Sequence, residues 1–589
     1  GVPVSLSCDA REVSGSGGLV RVSWSSSRTV ERYDRRPTDW IGMYAEGADL
    51  SVFTAPLKFV ALVPDGERCP GLRTRQACSS SSSCEWRAAA DNAWEGECLS
   101  GLPALNGTVA FFVQNMRTSV FFVYISGGIQ YPTIVATSEL VRQLRPEAPQ
   151  GAHLALGEAS DSMRVYWQAG GNVSSPGVRY GLCGQSSRRS FVGGHAAPGR
   201  RYTKEDMCDR DVQPAGRHGW LEPPTLLEAT LTGLRPGARY CYSYGDPATG
   251  WSGQEYNFTA PPPVGPRWPT TVAAFGDLGQ VEPDGTWHHS WDFGNRGELP
   301  SANTTRALER DEAVELVLHI GDISYAVGYL SEWENFMRQI EPVAARKPWM
   351  TSIGNHEMGH SRSFFPGTDS GGECGVPFNA HFPFASQDPQ SLTPFSERRP
   401  WYSFTYGPVA FIQMSTEHES ANGTEQHAWL ERALAAVDRR RTPWLIFSGH
   451  RPMYAASDWI GDYEDGLKLQ HAVEPLLLAH GVDLAIWGHF HAYNRFCRLR
   501  AGACDPSGIP HLVIGMAGYD HSRCAEKPGK TVEVCDDKHW GYLRMTFQSE
   551  SRLLLEYVSN TDGAVLDSFP LVKEASAGAR PTAATEIVV

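Results

Sequence analysis

Long apolar runs and positive charge are the two things that this 589-residue sequence has little of. No run approaches the roughly 18 apolar residues that would predict a membrane-spanning helix, so we expect no membrane span. Lys and Arg number 52 against 66 Asp and Glu, which leaves a net charge of −14. That balance argues against a nucleic-acid-binding surface and against electrostatic binding to anionic membrane. An anionic substrate would need local positive charge, for which bound metal ions are the obvious source.

Cysteine, in contrast, is abundant, with 13 residues in the chain. Four of them crowd into one serine-rich stretch and two further pairs lie close in sequence: Cys69, Cys78, Cys84 and Cys98, then Cys497 with Cys504, and Cys524 with Cys535. This clustering predicts disulfides, with the pairings left open and one thiol left over. Zinc binding by the first four is the alternative, but their spacing lacks CxxC pairs.

Other features are typical of a protein of the secretory pathway. Asn-x-Ser/Thr sequons predict N-glycosylation at Asn106, Asn172, Asn257, Asn303 and Asn422. The sequence begins at Gly1 without a Met, so either a signal peptide has been removed or the chain is a fragment. We therefore expect a secreted, disulfide-bonded glycoprotein, located in the extracellular fluid, a cell wall or a vacuole.

The chain is too long for one ordinary core, and its character changes along its length. Short β-branched and aromatic runs between turn residues predict an all-β first part, with a break near 145–149. A Pro-rich linker at 261–269 precedes apolar runs that alternate with amphipathic stretches, which is typical of an α/β domain. We expect an N-terminal β domain at 1–144 with a Cys-rich insertion at 69–98, a fibronectin III-like or immunoglobulin-like β-sandwich at 145–262, an α/β domain at 268–573, and a disordered tail at 574–589.

Apolar runs in the α/β segment end in metal-ligand residue types, each behind a glycine. In chain order the endings are Gly276-Asp277-Leu278-Gly279, Gly321-Asp322-Ile323-Ser324-Tyr325, Gly354-Asn355-His356-Glu357, Gly449-His450 and Gly488-His489-Phe490-His491. Ligands of an open α/β sheet bind beyond the carboxyl ends of its strands, so these side chains should converge on one crevice. Each glycine lets the chain turn and the backbone approach the site. Any single motif is more often a turn or a packed His, but the ordered set predicts a dinuclear metal site.

These motifs resemble the ligand blocks of the calcineurin-like metallophosphoesterases. Tyr325, three residues after Asp322, is similar to the mark of the purple acid phosphatase branch, and the resemblance covers nearly all of the chain from about residue 145. The stretches TDSGGECGVP (368–377) and DWIG (39–42) resemble the large plant-type members, a subgroup described as nucleotide pyrophosphatase/phosphodiesterase-like. The resemblance implies an α/β (α+β) fold, in which a metallophosphoesterase β-sandwich flanked by helices follows β-sandwich domains.

The resemblance also assigns the metal ligands. One metal receives Asp277, Tyr325 and His491, the other receives Asn355, His450 and His489, and Asp322 bridges the two. Because the first set is rich in anionic oxygen and the second in nitrogen, we expect Fe(III) beside a divalent Zn, Mn or Fe ion. The implied activity is that of an acid phosphatase. A metal-activated hydroxide would hydrolyse phosphomonoesters, or nucleotide diester or pyrophosphate bonds.

Residues around the ligands are candidates for substrate contacts. His356, next to Asn355, could contact the phosphoryl group or protonate the leaving group, or it could orient a ligand instead. Better-known plant members have a His pair about nine residues after the ligand that matches His450, whereas this chain has Trp459 and Ile460. Trp459 could stack a nucleotide base or simply pack the loop.

The missing His pair leaves the general acid open, with Tyr454, Asp458, His288 and His289 as candidates. The predicted substrate-binding residues are Asn355, His356, Tyr454 and Trp459, and the predicted partner is a small-molecule phosphate ester or nucleotide. Two alternatives stand beside this hypothesis. One is a dinuclear phosphodiesterase without ferric iron, which would be colourless. The other is a secreted binding or adhesion protein with a phosphatase-like fold, although degenerate enzymes usually lose ligands and this chain keeps the full set.

Overall fold

The computed structural model of the protein describes residues 4–26, 39–50, 55–62, 84–89, 92–100, 106–126, 132–171, 173–184, 190–196, 201–208, 219–288, 299–359, 369–385, 394–525 and 529–573. Along the chain they form three units, of which the first two consist of β-strands and the third combines strands with helices. No helix in these ranges is long and apolar enough to cross a membrane.

The first unit is a β domain. Its strands are β1 Val4–Cys8, β2 Glu12–Val13, β3 Gly18–Ser26, β4 Trp40–Ala45, β5 Lys58–Ala61, β6 Cys84–Ala89, β7 Asn92–Ser100, β8 Asn106–Val113, β9 Val120–Ser126, β10 Thr133–Thr137 and β11 Arg142–Gln143. One sheet has the order β1-β3-β8 and a second contains β10-β9-β4-β5, while β2 pairs with β11 and β6 with β7. Fully buried side chains such as Val20, Ile41, Phe111 and Phe122 join the sheets in one core.

The second unit is the β-sandwich that the sequence predicts for this part of the chain. Its strands are β12 Gln150–Leu156, β13 Met163–Ala169, β14 Gly177–Leu182, β15 Ser190–Gly193, β16 His195–Ala196, β17 Thr225–Leu231, β18 Arg239–Asp246, β19 Gly250–Trp251 and β20 Tyr256–Thr259. They form the sheets β12-β13-β17-β16 and β15-β14-β18-β19, with β20 beside β18. Alternating inward residues, among them Val165, Trp167, Tyr242 and Phe258, fill the space between the sheets.

The third unit contains the ligand motifs. Its strands are β21 Thr270–Phe275, β22 Trp287–His288, β23 Leu316–Ile320, β24 Trp349–Ser352, β25 Tyr402–Tyr406, β26 Val409–Gln413, β27 Trp444–Gly449, β28 Leu484–Trp487, β29 Tyr493–Phe496, β30 Leu499–Arg500, β31 Ala503–Cys504, β32 His511–Ile514, β33 Val532–Asp536, β34 Gly541–Phe547, β35 Arg552–Ser559 and β36 Val565–Val572. Its helices are α1 Leu299–Arg310, α2 Leu330–Ala344, α3 Asn355–Met358, α4 Val376–His381, α5 Glu425–Ala435, α6 Ile460–Ala472 and α7 Glu474–Ala479.

Two large sheets of the third unit pack face to face. Their strand orders are β24-β23-β21-β34-β35-β36 and β25-β26-β27-β28-β32-β29-β33. Apolar side chains from both sheets, such as Val272, Leu318, Phe411 and Ile446, share one core. A second core that includes Leu430, Leu469 and Leu477 joins helices α5 to α7 to the outer face of the second sheet. The strands that lead into the ligand motifs, β21, β23, β24, β27 and β28, are buried along their whole length, which explains why they do not alternate between apolar and polar residues.

Strand β22 leaves the third unit and joins the first. Its residues Trp287 and His288 pair with Phe59 and Lys58 of β5, so the second sheet of the first unit ends on a strand from the third. The sequence predicts the two units as separate parts of the chain, and no local pattern indicates this exchange.

The fold class predicted from the sequence is confirmed, and the predicted helices lie close to where the structure has them. The amphipathic stretches at 331–345 and 424–437, with apolar residues at three- and four-residue spacing, predict two helices, and the structure has α2 at the first and α5 at the second. Helix α5 begins one residue later than expected because the Thr424 side chain caps it, accepting the backbone N–H of His427. The proposed tail at 574–589 lies outside the described residues, and of the Cys-rich insertion only the backbone of β6 and β7 is described.

Disulfides join Cys183 to Cys241, Cys208 to Cys374, Cys497 to Cys504 and Cys524 to Cys535. The prediction of disulfide bonding is confirmed, and the last two bonds join the cysteines that are close in sequence. Cys8 has no disulfide partner among the described residues. Cys69 and Cys78, like the side chains of Cys84 and Cys98, fall outside them.

Candidate metal centre

The ligand motifs meet where strands of the two sheets end. Strands β21, β23, β24, β27 and β28 each lead directly into one motif. In the first sheet β21, β23 and β24 run parallel, and in the second β27 runs parallel to β28. Their carboxyl ends therefore lie on common edges, and the side chains that follow them converge.

Asp277, Asp322 and His491 form the first group of ligand atoms, which lie within 4.8 Å of one another. Nε2 of His491 is 3.3 Å from Oδ1 of Asp277. The Tyr325 hydroxyl lies 3.1 Å from Nε2 of His491 and 3.3 Å from a carboxylate oxygen of each aspartate. This group could hold one cation with carboxylate and phenol oxygens and a single imidazole.

Asp322 belongs to a second group as well, with His450 and His489. Its Oδ1 is 3.1 Å from Nε2 of His450. The amide oxygen of Asn355 lies 3.0 Å from Nε2 of His450 and 2.8 Å from Nδ1 of His489. One carboxylate thus stands between an oxygen-rich and a nitrogen-rich set, an arrangement suited to two cations with a shared ligand.

Several of these ligands have backbone conformations that side-chain-bearing residues rarely adopt. The φ angle is 61° at Asp277, 50° at Asp322, 54° at Tyr325 and 66° at His489. Each such residue costs about 1–2 kcal/mol relative to an ordinary conformation, so the surrounding packing must hold it in place. Strain of this kind clusters at functional sites.

Two of the glycines that precede ligands, Gly354 and Gly321, are required by close approach, as the sequence predicts. A Cβ at Gly354 would lie 2.3 Å from Oδ1 of Asp322. Gly321 has a φ of 90°, and a Cβ there would lie 2.5 Å from Nδ1 of His450. Neither position has room for any side chain.

The buried carboxylate of Glu357, for which the sequence predicts no role, forms hydrogen bonds to two ligand loops. Its oxygens accept the backbone N–H groups of Asp322 at 3.0 Å, Ile323 at 2.7 Å and Gly354 at 2.9 Å. The loops after β23 and β24 are therefore held in one fixed relation. In the sequence, the one feature that could have indicated this role is the position of Glu357 at the end of the Gly-Asn-His-Glu motif.

Burial and close charges shift the pKa values of the ligands. Burial opposes ionisation of Asp322, but His450 and His356 hold its pKa well below the usual range. Burial also opposes protonation of His450, yet Asp322 raises its pKa to about 10. The pKa of the Tyr325 phenol is raised well above its ordinary value, mainly by burial and then by the negative charges of Asp322 and Asp277. His450 and Tyr325 hold their protons beside an ionised Asp322, and a bound cation would take the place of those protons on the ligand atoms.

An open cleft of about 560 Å³ leads to the ligands. His356 lines it, with its ring 4.2 Å from that of Tyr325 and its Nε2 4.0 Å from Oδ2 of Asp322. Asn355 and Trp459 also line the cleft, and the Trp459 side chain is 61% exposed. The structure thus brings three of the predicted substrate-binding residues to one surface.

Tyr454, the fourth predicted substrate-binding residue, is not brought to the cleft. Its hydroxyl donates to Oε1 of Glu474 at 2.7 Å, and its ring packs against His511. The buried Glu474 carboxylate needs a donor, and Tyr454 supplies one. Of the candidate general acids, Asp458 lines the cleft, His288 lies in β22, and His289 is outside the described residues.

A buried cation also stands beside the second group. Nη1 of Arg451 lies 3.2 Å from Nε2 of His489 and donates to Oδ2 of Asp465 at 3.0 Å. Its Nε donates to Oε1 of Glu417 at 2.9 Å. No sequence pattern predicts a role for Arg451, although this residue directly follows the ligand His450.

Family models match three parts of the chain. They are "Purple acid Phosphatase, N-terminal domain" over residues 149–260, "Calcineurin-like phosphoesterase" over 270–493, and "Iron/zinc purple acid phosphatase-like protein C" over 508–568. The second covers every ligand motif.

Similar proteins come from several plants. An Arabidopsis thaliana protein named "probable inactive purple acid phosphatase 27" is 35% identical over 80% of this chain and 77% of its own length. A Hordeum vulgare protein named "nucleotide pyrophosphatase/phosphodiesterase" is 33% identical over 54% of this chain and 87% of its own. The solved structure of a purple acid phosphatase from yellow lupin (Lupinus luteus) seeds matches with a TM-score of 0.77 and 28% identity, covering 97% of this chain and 96% of that one. With its ligand motifs, its fold and these matches, the chain belongs to the purple acid phosphatase family of calcineurin-like phosphoesterases.

Proposed function

We propose that this chain is an active metal-dependent phosphohydrolase, secreted from the cell. Its substrates would be phosphomonoesters and nucleotide diester or pyrophosphate bonds. The observation that carries the proposal is Asp322, which contacts both ligand groups at the foot of an open cleft. Relatives named inactive belong to the same family, but this chain keeps a complete set of donor side chains in contact with one another.

The donor chemistry supports two different cations. Asp277 and Tyr325 would hold Fe(III) with His491, since hard anionic oxygens suit a trivalent ion. His450 and His489 would hold a divalent Zn, Mn or Fe ion with the Asn355 amide, since imidazoles suit such ions. Two such cations supply Lewis acidity and an activated water for attack on phosphorus.

The chain's own residues would place the substrate. His356 lines the cleft, and its Nε2 lies 4.0 Å from Oδ2 of Asp322. An imidazole N–H in this position could donate to a phosphoryl oxygen or to the leaving oxygen of a bound substrate. Asn355 presents its oxygen to the two histidines, and its NH₂ donates to Oδ2 of Asp369 at 3.1 Å.

The test begins with the glycosylated full chain. Metal analysis should find about one iron and one divalent ion per chain, and the visible spectrum should show a phenolate-to-iron band. Tyr325→Phe should lose the band, whereas Tyr329→Phe, which alters a buried tyrosine of the same loop, should keep it. Asp322→Asn should lose phosphate release from aryl phosphate and from nucleotides at acidic pH, by at least about 100-fold.

A colourless protein that binds two divalent ions and cleaves diesters would contradict the ferric centre. It would favour the alternative, a dinuclear phosphodiesterase without ferric iron. A protein that stays metal-free after reconstitution with iron and zinc would overturn the enzymatic proposal and favour a binding protein.

A further inference from the structure

The mouth of the cleft carries an unusual apolar patch. Trp459, Ile460 and Tyr463 lie at the start of α6 and are 61%, 64% and 62% exposed. Among the described residues no other stretch of five has three large exposed apolar side chains. Exposed apolar clusters of this kind mark places where a ligand or partner is bound. Of the three, Trp459 lines the cleft that contains the ligands.

One segment connects this patch to the metal ligands. Ser522 exchanges hydrogen bonds with His491, its N–H reaching the His491 carbonyl and its Oγ accepting the His491 N–H, both at 3.0 Å. Three residues on, the N–H of Ala525 donates to the carbonyl of Ala456 at 2.9 Å, next to the Trp459 loop. The disulfide from Cys524 anchors the same segment.

Arg523 lies in the middle of this segment and lines the cleft. Within the part of the chain that the structure describes, its guanidinium makes no hydrogen bond or ion pair. The chain has a net charge of −14, so an arginine in the cleft without such a contact is available to bind an anionic substrate. Guanidinium groups match phosphate geometry with two parallel donors.

We propose that Trp459 and Arg523 form a subsite for the nucleotide portion of the substrate. The Trp459 indole stacks on the planar base, and Arg523 pairs with a second phosphate next to the one held at the metal centre. The preferred substrate is then a nucleoside polyphosphate or a dinucleotide with a pyrophosphate link. This inference rests on the proposed function, since it places the reacting phosphoryl group at the ligands.

The charges along the cleft decide where the second phosphate binds. Asp458 and Asp462 also line the cleft, close in sequence to Trp459, and would repel a phosphate placed there. Arg523, on the segment that leads back to His491, is the one Lys or Arg among the described residues that line the cleft. The uncharged base, which carries amino donors, therefore fits beside the aspartates, and the phosphate fits beside the arginine.

Gly461 provides a variant that moves the indole without removing it. A Cβ at this position would lie 2.6 Å from the ring of Trp459, too close for the ring to stay. Alanine is otherwise favourable inside a helix, so Gly461→Ala should fold at least as well as the parent. Loss of base recognition in this variant would come from the indole's position.

The experiment is calorimetric binding of ADP, pyrophosphate and AMP, each as its non-hydrolysable phosphonate analogue, and of orthophosphate to the metal-loaded full chain. Trp459→Ala and Gly461→Ala should weaken ADP binding roughly 10-fold and leave pyrophosphate unchanged, since base stacking alone is lost. Arg523→Gln should weaken ADP and pyrophosphate by a similar factor, with little change for AMP and orthophosphate. Trp268→Ala, which removes an exposed tryptophan before the amino end of β21 that does not line the cleft, is the matched control.

The outcomes separate this subsite from the proposed function. If the wild type hydrolyses phosphoesters but binds ADP no better than pyrophosphate, and Trp459→Ala changes neither, the subsite is wrong and the hydrolase stands. If no hydrolysis is found on any substrate while ADP binding still depends on Trp459 and Arg523, the subsite stands without the activity. Weakening by Trp459→Ala that is equal for ADP and pyrophosphate would also overturn the stacking role.

Discussion

The ring of Tyr519 lies flat on the ring of Tyr325, with centroids 3.5 Å apart and planes that differ by 1°. The backbone N–H of Tyr519 also donates to the carbonyl of Asp277 at 3.2 Å. On the Tyr325 ring a second contact comes from His356, at 4.2 Å. The phenol that lies between two aspartates is therefore held by aromatic neighbours.

Replacing Tyr519 with leucine should loosen that phenol. The stacked pair contributes roughly 0.5–1.5 kcal/mol beyond simple burial, so Tyr519→Leu should lower the free energy of unfolding by about 1 kcal/mol or more. In iron-loaded protein the visible band should shift or broaden as Tyr325 gains freedom. Tyr519→Phe keeps the stacked ring and should retain both properties. Urea unfolding and the visible spectrum check the two effects, and a Leu variant that matches the Phe variant in both would contradict the role.

Lys58 of the first unit reaches into the loop that starts at Asp277. Its Nζ lies 3.1 Å from Glu282 and 2.7 Å from Asp284, and the side chains involved are at most 5% exposed. Lys58→Met would remove the ammonium group that pairs with two buried carboxylates. We expect it to cost about 3–5 kcal/mol of unfolding free energy.

A matched control for Lys58 removes an exposed pair. Arg142 and Glu12 are joined at 2.8 Å but are 67% and 44% exposed, so Arg142→Met should cost at most about 1 kcal/mol. Urea unfolding of both variants gives the comparison. Similar losses in the two would show that Lys58 does not join the units in the way described.

Glu373 should make the protein more stable in acid than at alkaline pH. Burial raises the pKa of its carboxyl to about 8, although the N–H groups of Trp333 and Gly328 oppose the shift. The folded state therefore holds a proton that the unfolded chain releases near its ordinary pKa of 4.5. This contribution is full below about pH 4.5, falls as the pH rises toward 8, and is lost above it.

Glu373→Gln removes that titration while keeping an oxygen for the same donors. The variant should match the wild type near pH 4.5 and exceed it in unfolding free energy at pH 8, by an amount of the order of a few kcal/mol. Urea unfolding across this range measures the difference. A constant gap between the two proteins at every pH would rule out the buried proton.

Exposure separates the predicted glycosylation sites. Asn106 and Asn422 are exposed, Asn257 and Asn303 are partly buried, and Asn172 is outside the described residues. The Asn257 amide oxygen also accepts two hydrogen bonds from Arg239, at 3.1 and 2.8 Å. We expect glycopeptide mass spectrometry of secreted protein to find Asn106 and Asn422 more fully occupied than Asn257, and Asn422→Gln to remove one glycan. Higher occupancy at Asn257 would contradict this order.

The sequence was most informative where the relevant contacts are local. Each ligand motif directly follows an apolar run, so strand and ligand could be recognised together, as with β23 and Asp322. Glu357 and Arg451 can likewise be recognised from the sequence as neighbours of ligands. Their hydrogen-bond partners cannot be predicted from the sequence. Helix positions were predicted closely for α2 and α5 because an apolar face at three- and four-residue spacing depends only on nearby residues.

Sequence alone therefore determined the fold class, the order of the ligand motifs and the residue types able to bind metal, because these depend on periodicity and on neighbours along the chain. Tertiary structure decided which side chains face one another. Lys58 and Glu282 are 224 residues apart, and β22 crosses to a sheet built from the first unit. It also turned Tyr454 toward Glu474 and left Trp459 exposed at the cleft. Such outcomes depend on how buried polar groups find partners across the whole fold, which no local pattern records.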